Sequence, residues 1–361
     1  MKDILLVGGG KIGAMITELL ANSGTYGGTD DYRVTVADRS EDALRNVVRH
    51  ERVDTLALDV ADADAMARAM AGKFAVLSAV PFSFTSHVAD SAAAAKVHYF
   101  DLTEDVRTTD HVKSLAETAT SAMMPQCGLA PGFISIVANE LAGRLDEADE
   151  IRMRVGALTE HPTNSLRYEL TWSVDGLVHE YLAMCDAVVD GQPGKVEPLE
   201  GLETFTLGGT DYEAFNTSGG IGTLGESLAG RVRNLNYKTI RYPGHCAIMK
   251  RLIRDLGLDE ATLTEILGYA LPRTAQDMVL IYVTATGRKD GAPREETFVR
   301  KVWSRADGDE RWSAIQITTA SAICAALDLV ADGRLPQRGF VRHEQIGLAD
   351  FMANRFGRHY A

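Results

Sequence analysis

Short apolar runs alternate with helix-spaced segments over roughly the first 125 residues, and this rhythm constrains the fold more than any other feature. Runs at 3–7 (DILLV), 33–37 (RVTVA), 55–58, 75–79 (AVLSA) and 98–102 (HYFDL) predict strands. Segments at 14–22, 40–50 (with Ser40 as N-cap), 61–71, 86–95 and 109–121 predict helices between them. Strands joined by helices run parallel and are covered on both faces, which explains runs that are apolar throughout rather than alternating. The pattern predicts an α/β domain with a Rossmann-type, doubly wound parallel sheet.

The first strand leads into Gly8-Gly9-Gly10-Lys11-Ile12-Gly13, a G-x-G-x-x-G turn between strand and helix. Gly8 permits the tight turn, Gly10 lets a pyrophosphate approach the backbone, and Gly13 lets helix and strand pack closely. Lys11 and Ile12 lie in the turn that leads into the helix expected at 14–22, whose N-terminal N–H groups face the phosphates. Asp38 ends the next strand, 25 residues after Gly13. A carboxylate there accepts from the ribose hydroxyls and repels a 2′-phosphate, favouring NAD, while the adjacent Arg39 leaves NADP possible. Asp59, after the third strand, is placed to face an adenine amine or to cap the following helix. Ala79, Val80 and Pro81 end the fourth strand, at the carboxyl edge where cofactor and substrate meet, and Phe82 follows there as a substrate contact.

The rhythm changes after Cys127-Gly128-Leu129-Ala130-Pro131-Gly132. Helices are expected at 133–145, 175–184 and 246–256. Strands are expected at 151–157, 166–172, 203–207, 278–286, 298–305 and 312–318. This reads as a second, α+β domain around an open mixed sheet. The apolar helix expected at 319–331 is rich in small residues and returns to the first domain. The division is therefore 1–132, completed by 319–361, and 133–318, which suits a chain of 361 residues.

The formal net charge of -13 disfavours nucleic acid and anionic membranes as partners. No run approaches the roughly 18 apolar residues of a membrane span, and no signal-like apolar segment opens the chain. The four cysteines, Cys127, Cys185, Cys246 and Cys324, form no CxxC pair, so a cytoplasmic protein with reduced thiols is expected. No HxH or HExxH spacing supports a metal, and no G-x-S-x-G elbow supports a hydrolase.

Several blocks resemble the saccharopine dehydrogenase family, which includes lysine 6-dehydrogenases. They are VGGGKIG (7–13), SAVPF (78–82), HYFDLTED (98–105), CGLAPGFISIVA (127–138), LTWSVDGLVHEY (170–181), EAFNTSGGIGTL (213–224) and YKTIRYPGH (237–245). The resemblance covers most of the chain. It implies a two-domain, often dimeric enzyme, here expected as a homodimer. It further implies oxidation of a C–N bond in a lysine-derived amino acid, the hydride passing to NAD or NADP. Ala130 stands where glutamate-forming members commonly carry Asp, which bears on the substrate more than on the reaction.

An amino-acid substrate needs a partner for its carboxylate, and Arg241 is the candidate because guanidinium binds carboxylate in a fork. Tyr242 is placed to help. The amine must be neutral when hydride leaves, so a base is needed. His245, Asp101, Glu104 and Asp105 are candidates, the three carboxylates standing at the end of the fifth strand. Thr217 and Ser218, before Gly219-Gly220, are candidates for a polar pocket lining, with Trp172 and Ser173 as a wall. Cys127 reads as a small buried hydrophobe. Two rival readings remain at this point: reductive condensation of a polyamine or opine-type amine with a carbonyl compound, and a non-enzymatic NAD-binding redox sensor.

Overall fold

The computed structural model describes residues 1–307 and 310–361. The chain divides into two compact units, Met1–Ile136 with Gln316–Ala361, and Val137–Ile315.

In the first unit, strands β1 (Lys2–Val7), β2 (Tyr32–Asp38), β3 (Val53–Ala57), β4 (Ala75–Ser78), β5 (His98–Asp101) and β6 (Ala122–Met124) alternate with helices. Those helices are α1 (Lys11–Ala21), α2 (Glu41–Arg45), α3 (Ala63–Met70), α4 (Phe82–Ala95) and α5 (Val106–Ala116). The sheet order is Gly339–Phe340, β6, β5, β4, β1, β2, β3, and every pairing is parallel. The order reverses direction at β1 and β4, the switch point of a doubly wound sheet, whose carboxyl edge is where such folds bind ligands. Leu5, Val7, Val76, Tyr99 and Met123 fill one face beneath α3, α4 and α5. Strand β6 escapes the sequence pattern because it is three residues long and fully buried, so it shows no alternation.

The chain leaves this unit within α6 (Phe133–Gly143) and returns within an 18-residue helix, Ala314–Ala331. The second unit holds a mixed sheet. Strand β7 (Glu147–Thr159) is followed by helix α7 (Val174–Leu182) and strands β8 (Cys185–Val189), β9 (Gln192–Val196), β10 (Glu203–Leu207) and β11 (Thr210–Asn216). Then come α8 (Leu224–Ser227), β12 (Val232–Arg241), α9 (His245–Lys250), α10 (Glu260–Ala270), β13 (Asp277–Lys289) and β14 (Ala292–Trp303). The order is β10-β11-β12-β7-β13-β14, with β8 on β12 and β9 on β8, and only the β12–β7 pair is parallel.

Two expected strands are absent. Residues 166–172 form no strand beyond one isolated bridge from Leu170 to Arg273, because the Asn164 side chain bonds both the carbonyl and the N–H of Tyr168, and Arg167 takes φ 51°. Most of 312–318 is helix, because the Asp277 carboxylate, far back in sequence, accepts from the N–H groups of Ala314 and Ile315. The helix expected at 246–256 keeps its α form only to Lys250 and continues as a π turn over Arg251–Asp255.

Candidate active site

The glycine turn has the shape to receive a phosphate. Gly8 has φ 108°, and a Cβ on it would sit 2.6 Å from the Ala79 carbonyl oxygen. A Cβ on Gly13 would collide with the Gly8 carbonyl oxygen. A Cβ on Gly10 would meet nothing within 4 Å. The chain itself thus demands glycine at positions 8 and 13, whereas at position 10 glycine leaves a cradle open. Helix α1 begins beside this cradle at Lys11 with no side-chain cap and no acid in its first turn. Its first N–H groups are therefore available to an anion.

Asp38 stands beside the turn. Its Oδ2 accepts from the Gly9 N–H at 2.7 Å and its Oδ1 from the Ser40 N–H at 2.8 Å. Arg39 is exposed, its guanidinium 5.7 Å from the centre of the Phe84 ring. Asp59 is exposed and accepts from the Ala61 N–H, while the N-cap of α3 is Asp62, so the capping alternative for Asp59 does not hold. Ala79 continues the sheet through its N–H to the Val7 carbonyl, and Pro81 caps α4. Phe82 opens α4 and is 49 % exposed. This open cradle, uncapped helix and adjacent carboxylate fit a dinucleotide.

The carboxylates after β5 correct the expectation of a base at Asp101. Asp101 is fully buried. Its Oδ2 accepts from the Tyr99 hydroxyl at 2.6 Å, and its Oδ1 accepts from the N–H groups of Thr103 and Gln126 at 2.9 and 2.8 Å. Burial pushes its pKa up to about 6 although all three donors pull it down. The group pins the loops that follow β5 and β6 and offers no accessible lone pair. Asp105 likewise is the N-cap of α5, accepting from the N–H and hydroxyl of Thr108. Glu104 is half-buried between them. Cys127 is buried, its Sγ donates to the Met124 carbonyl, and desolvation pushes the thiol pKa well up, so it is no nucleophile.

In the second unit, Arg241 ends β12 and is buried among aromatic rings. Its Nη2 pairs with Glu180 Oε1 at 2.7 Å, its Nε donates to the Tyr181 hydroxyl at 3.0 Å and its Nη1 to the Ile240 carbonyl at 3.0 Å. The guanidinium lies 4.9 Å from the Tyr168 ring centre. An arginine standing alone for a carboxylate is thus replaced by an arginine already held by a carboxylate. His245 is corrected more sharply. Its Nδ1 lies 3.0 Å from the Leu166 carbonyl and its Nε2 3.0 Å from the Tyr181 hydroxyl. Burial, with Arg241 nearby, pushes its pKa down to about 3. It stays neutral at working pH and is too weak a base for the role expected of it.

The remaining candidates have other occupations. Ser173 is exposed and caps α7 by accepting from the Gly176 N–H. Trp172 packs against Gly176 and donates its indole N–H to the Tyr168 hydroxyl. Tyr242 donates to the Thr159 carbonyl. Ser218 donates its N–H to the Glu180 carbonyl. Thr217 is 1 % exposed, and its hydroxyl has no partner among the described residues. Glu180 and Tyr181 were not anticipated as site residues. Their signal was the amphipathic pattern of α7: Leu177, Val178 and Tyr181 are its buried face, and Glu180 shares it. A carboxylate on a buried stripe requires a buried partner.

Residues 4–125 match the saccharopine dehydrogenase NADP binding domain, and residues 128–358 match the saccharopine dehydrogenase C-terminal domain. The saccharopine dehydrogenase (NADP+, L-glutamate-forming) of Saccharomyces cerevisiae is 26 % identical over 217 residues, 55 % of this chain and 44 % of that protein. The chain spans less than two thirds of the length of the curated relatives it matches. Its fold is similar to that of an apo L-Glu-forming saccharopine dehydrogenase from Saccharomyces cerevisiae, with a TM-score of 0.80 at 18 % identity over 98 % of this chain and 97 % of the other. It is also similar to a homospermidine synthase from Legionella pneumophila in complex with NAD, with a TM-score of 0.69 at 11 % identity over 99 % and 89 %. With an NAD(P)-binding domain followed by a matching C-terminal domain, the chain belongs to the saccharopine dehydrogenase family.

Proposed function

We propose that the chain is an NAD(P)-dependent oxidoreductase that oxidises a C–N bond of a lysine-derived amino acid, lysine or saccharopine. The observation that carries this reading is the Gly8–Gly13 turn, whose open position at Gly10 and uncapped α1 suit a pyrophosphate, in a chain matching the family in both units. Gly8, Gly10, Lys11, Ile12 and Gly13 would hold the pyrophosphate, Asp38 the adenosine ribose, and Ala79-Val80-Pro81 would line the edge beyond. A nicotinamide held there would supply the acceptor for the hydride of the carbon beside nitrogen.

The residues of the chain supply binding and proton handling. The substrate amine must lose a proton before hydride departs, and we assign that proton to Glu104, in the loop at the carboxyl edge after β5. Asp101 holds this loop through Thr103. Water then converts the imine to a carbonyl. Asp38 favours NAD, whereas Arg39 and the matched domain's description favour NADP, so both dinucleotides belong in the assay. The likeness to a homospermidine synthase gives weight to one alternative, reductive condensation of a polyamine with a carbonyl compound. A homodimer is part of the proposal.

Absorbance at 340 nm tests this reading, with NAD and NADP each offered against lysine and saccharopine. Reduction with either amino acid is expected. Dinucleotide binding without reduction by any amine would overturn it in favour of the redox-sensor reading.

A further inference from the structure

We infer that the buried Glu180–Arg241 pair is a clamp for the zwitterionic head group of a free α-amino acid, Arg241 taking the carboxylate and Glu180 the ammonium. This rests on the proposed function and deepens it by naming what its second unit recognises.

Both partners of the pair keep hydrogen-bonding capacity unspent. A guanidinium carries five N–H donors. Arg241 spends one on Tyr181, one on the Ile240 carbonyl and one on Glu180, which leaves one N–H on Nη1 and one on Nη2 without a partner among the described residues. Two donors on the two terminal nitrogens match the two oxygens of a carboxylate. Glu180 spends only Oε1 on Arg241, and its Oε2 has no hydrogen-bond partner among the described residues. Unspent capacity of both signs on one buried ion pair is what a zwitterion complements. A diamine would leave the guanidinium unanswered, and a dicarboxylate would leave the glutamate unanswered.

Orientation is fixed from behind. Neutral His245 donates from Nδ1 to the Leu166 carbonyl, so its Nε2 must accept. Tyr181 therefore donates to His245 and presents its own lone pair to Arg241 Nε. Tyr181 and His245 are positioning residues in this arrangement, and the Tyr168 ring stacks the guanidinium. The side chains of Arg241 and Glu180 keep only 3 and 7 % of their surface exposed, a setting in which such contacts are strongest.

The test is calorimetric titration of the full chain, in the presence of NAD or NADP, with L-lysine, 6-aminohexanoate (which lacks the α-amino group) and cadaverine (which lacks the carboxylate). L-Lysine is expected to bind at least about tenfold more tightly than either analogue, the scale of one charge-assisted contact. In Glu180→Gln the gap between L-lysine and 6-aminohexanoate is expected to shrink to within about threefold. Cadaverine binding as tightly as L-lysine, or none of the three binding, overturns the clamp without recourse to any variant. A Glu180→Gln protein that folds and keeps the full gap also overturns it. Turnover is scored separately at 340 nm, so loss of the dehydrogenase reading is distinguishable from loss of the clamp.

Discussion

A methyl group on Gly13 would run into the Gly8 carbonyl oxygen, whereas one on Gly10 would meet nothing within 4 Å. The two glycines should therefore fail differently. Gly10→Ala is expected to leave the melting temperature nearly unchanged and to weaken dinucleotide binding by about tenfold or more, read by calorimetry. Gly13→Ala is expected to lower the melting temperature as well, since backbone must move. Asp101 gives a pH prediction. Its folded pKa is raised to about 6, so its contribution to stability is present below its unfolded value near 4 and is lost as pH rises through about 6. Asp101→Asn cannot titrate, so the difference in melting temperature between variant and parent is expected to change across pH 4–7 and to level off above it. At this scale the sequence made the glycine turn legible, because Gly13 answers to the Gly8 carbonyl within the turn, whereas the demand for glycine at position 8 also comes from Ala79, far along the chain. It revealed Arg241 and His245 as residues but not their states, because Glu180 and Tyr181 reach them only through the packing of α7.

Elements were legible wherever their cause was local. Ser40 caps α2 as its side chain suggests, and β1, β2 and β4 lie close to their apolar runs. The start of Ala314–Ala331 was not legible, because its cap comes from Asp277 on β13. Asp277→Ala is expected to cost about 1–2 kcal/mol of stability, the value of a lost N-cap, measured by denaturant unfolding. Equal stability would mean that the helix is held by packing alone. The segment 166–172 is illegible for the same kind of reason: Tyr168, Glu169, Leu170 and Thr171 are all buried without alternation, and Asn164 takes the backbone of Tyr168.

At the scale of the molecule, each unit has its own core, and the first is completed by the chain's last segment. Arg355 binds Asp328 and Asp31, and Asp328 also accepts from Tyr32 and Asn354, which ties that segment to β2 and the loop before it. Arg355→Ala strands a buried carboxylate and is expected to cost about 3 kcal/mol or more, seen as a lower melting temperature. The proposed oxidation asks one thing of each unit, dinucleotide binding at the glycine turn of the first and recognition of an amino acid by the second. The most direct test is reduction of NAD or NADP at 340 nm by L-lysine or saccharopine, with cadaverine as the control. Reduction by either amino acid and none by cadaverine is the predicted result; reduction by cadaverine, or by no amine at all, would contradict it.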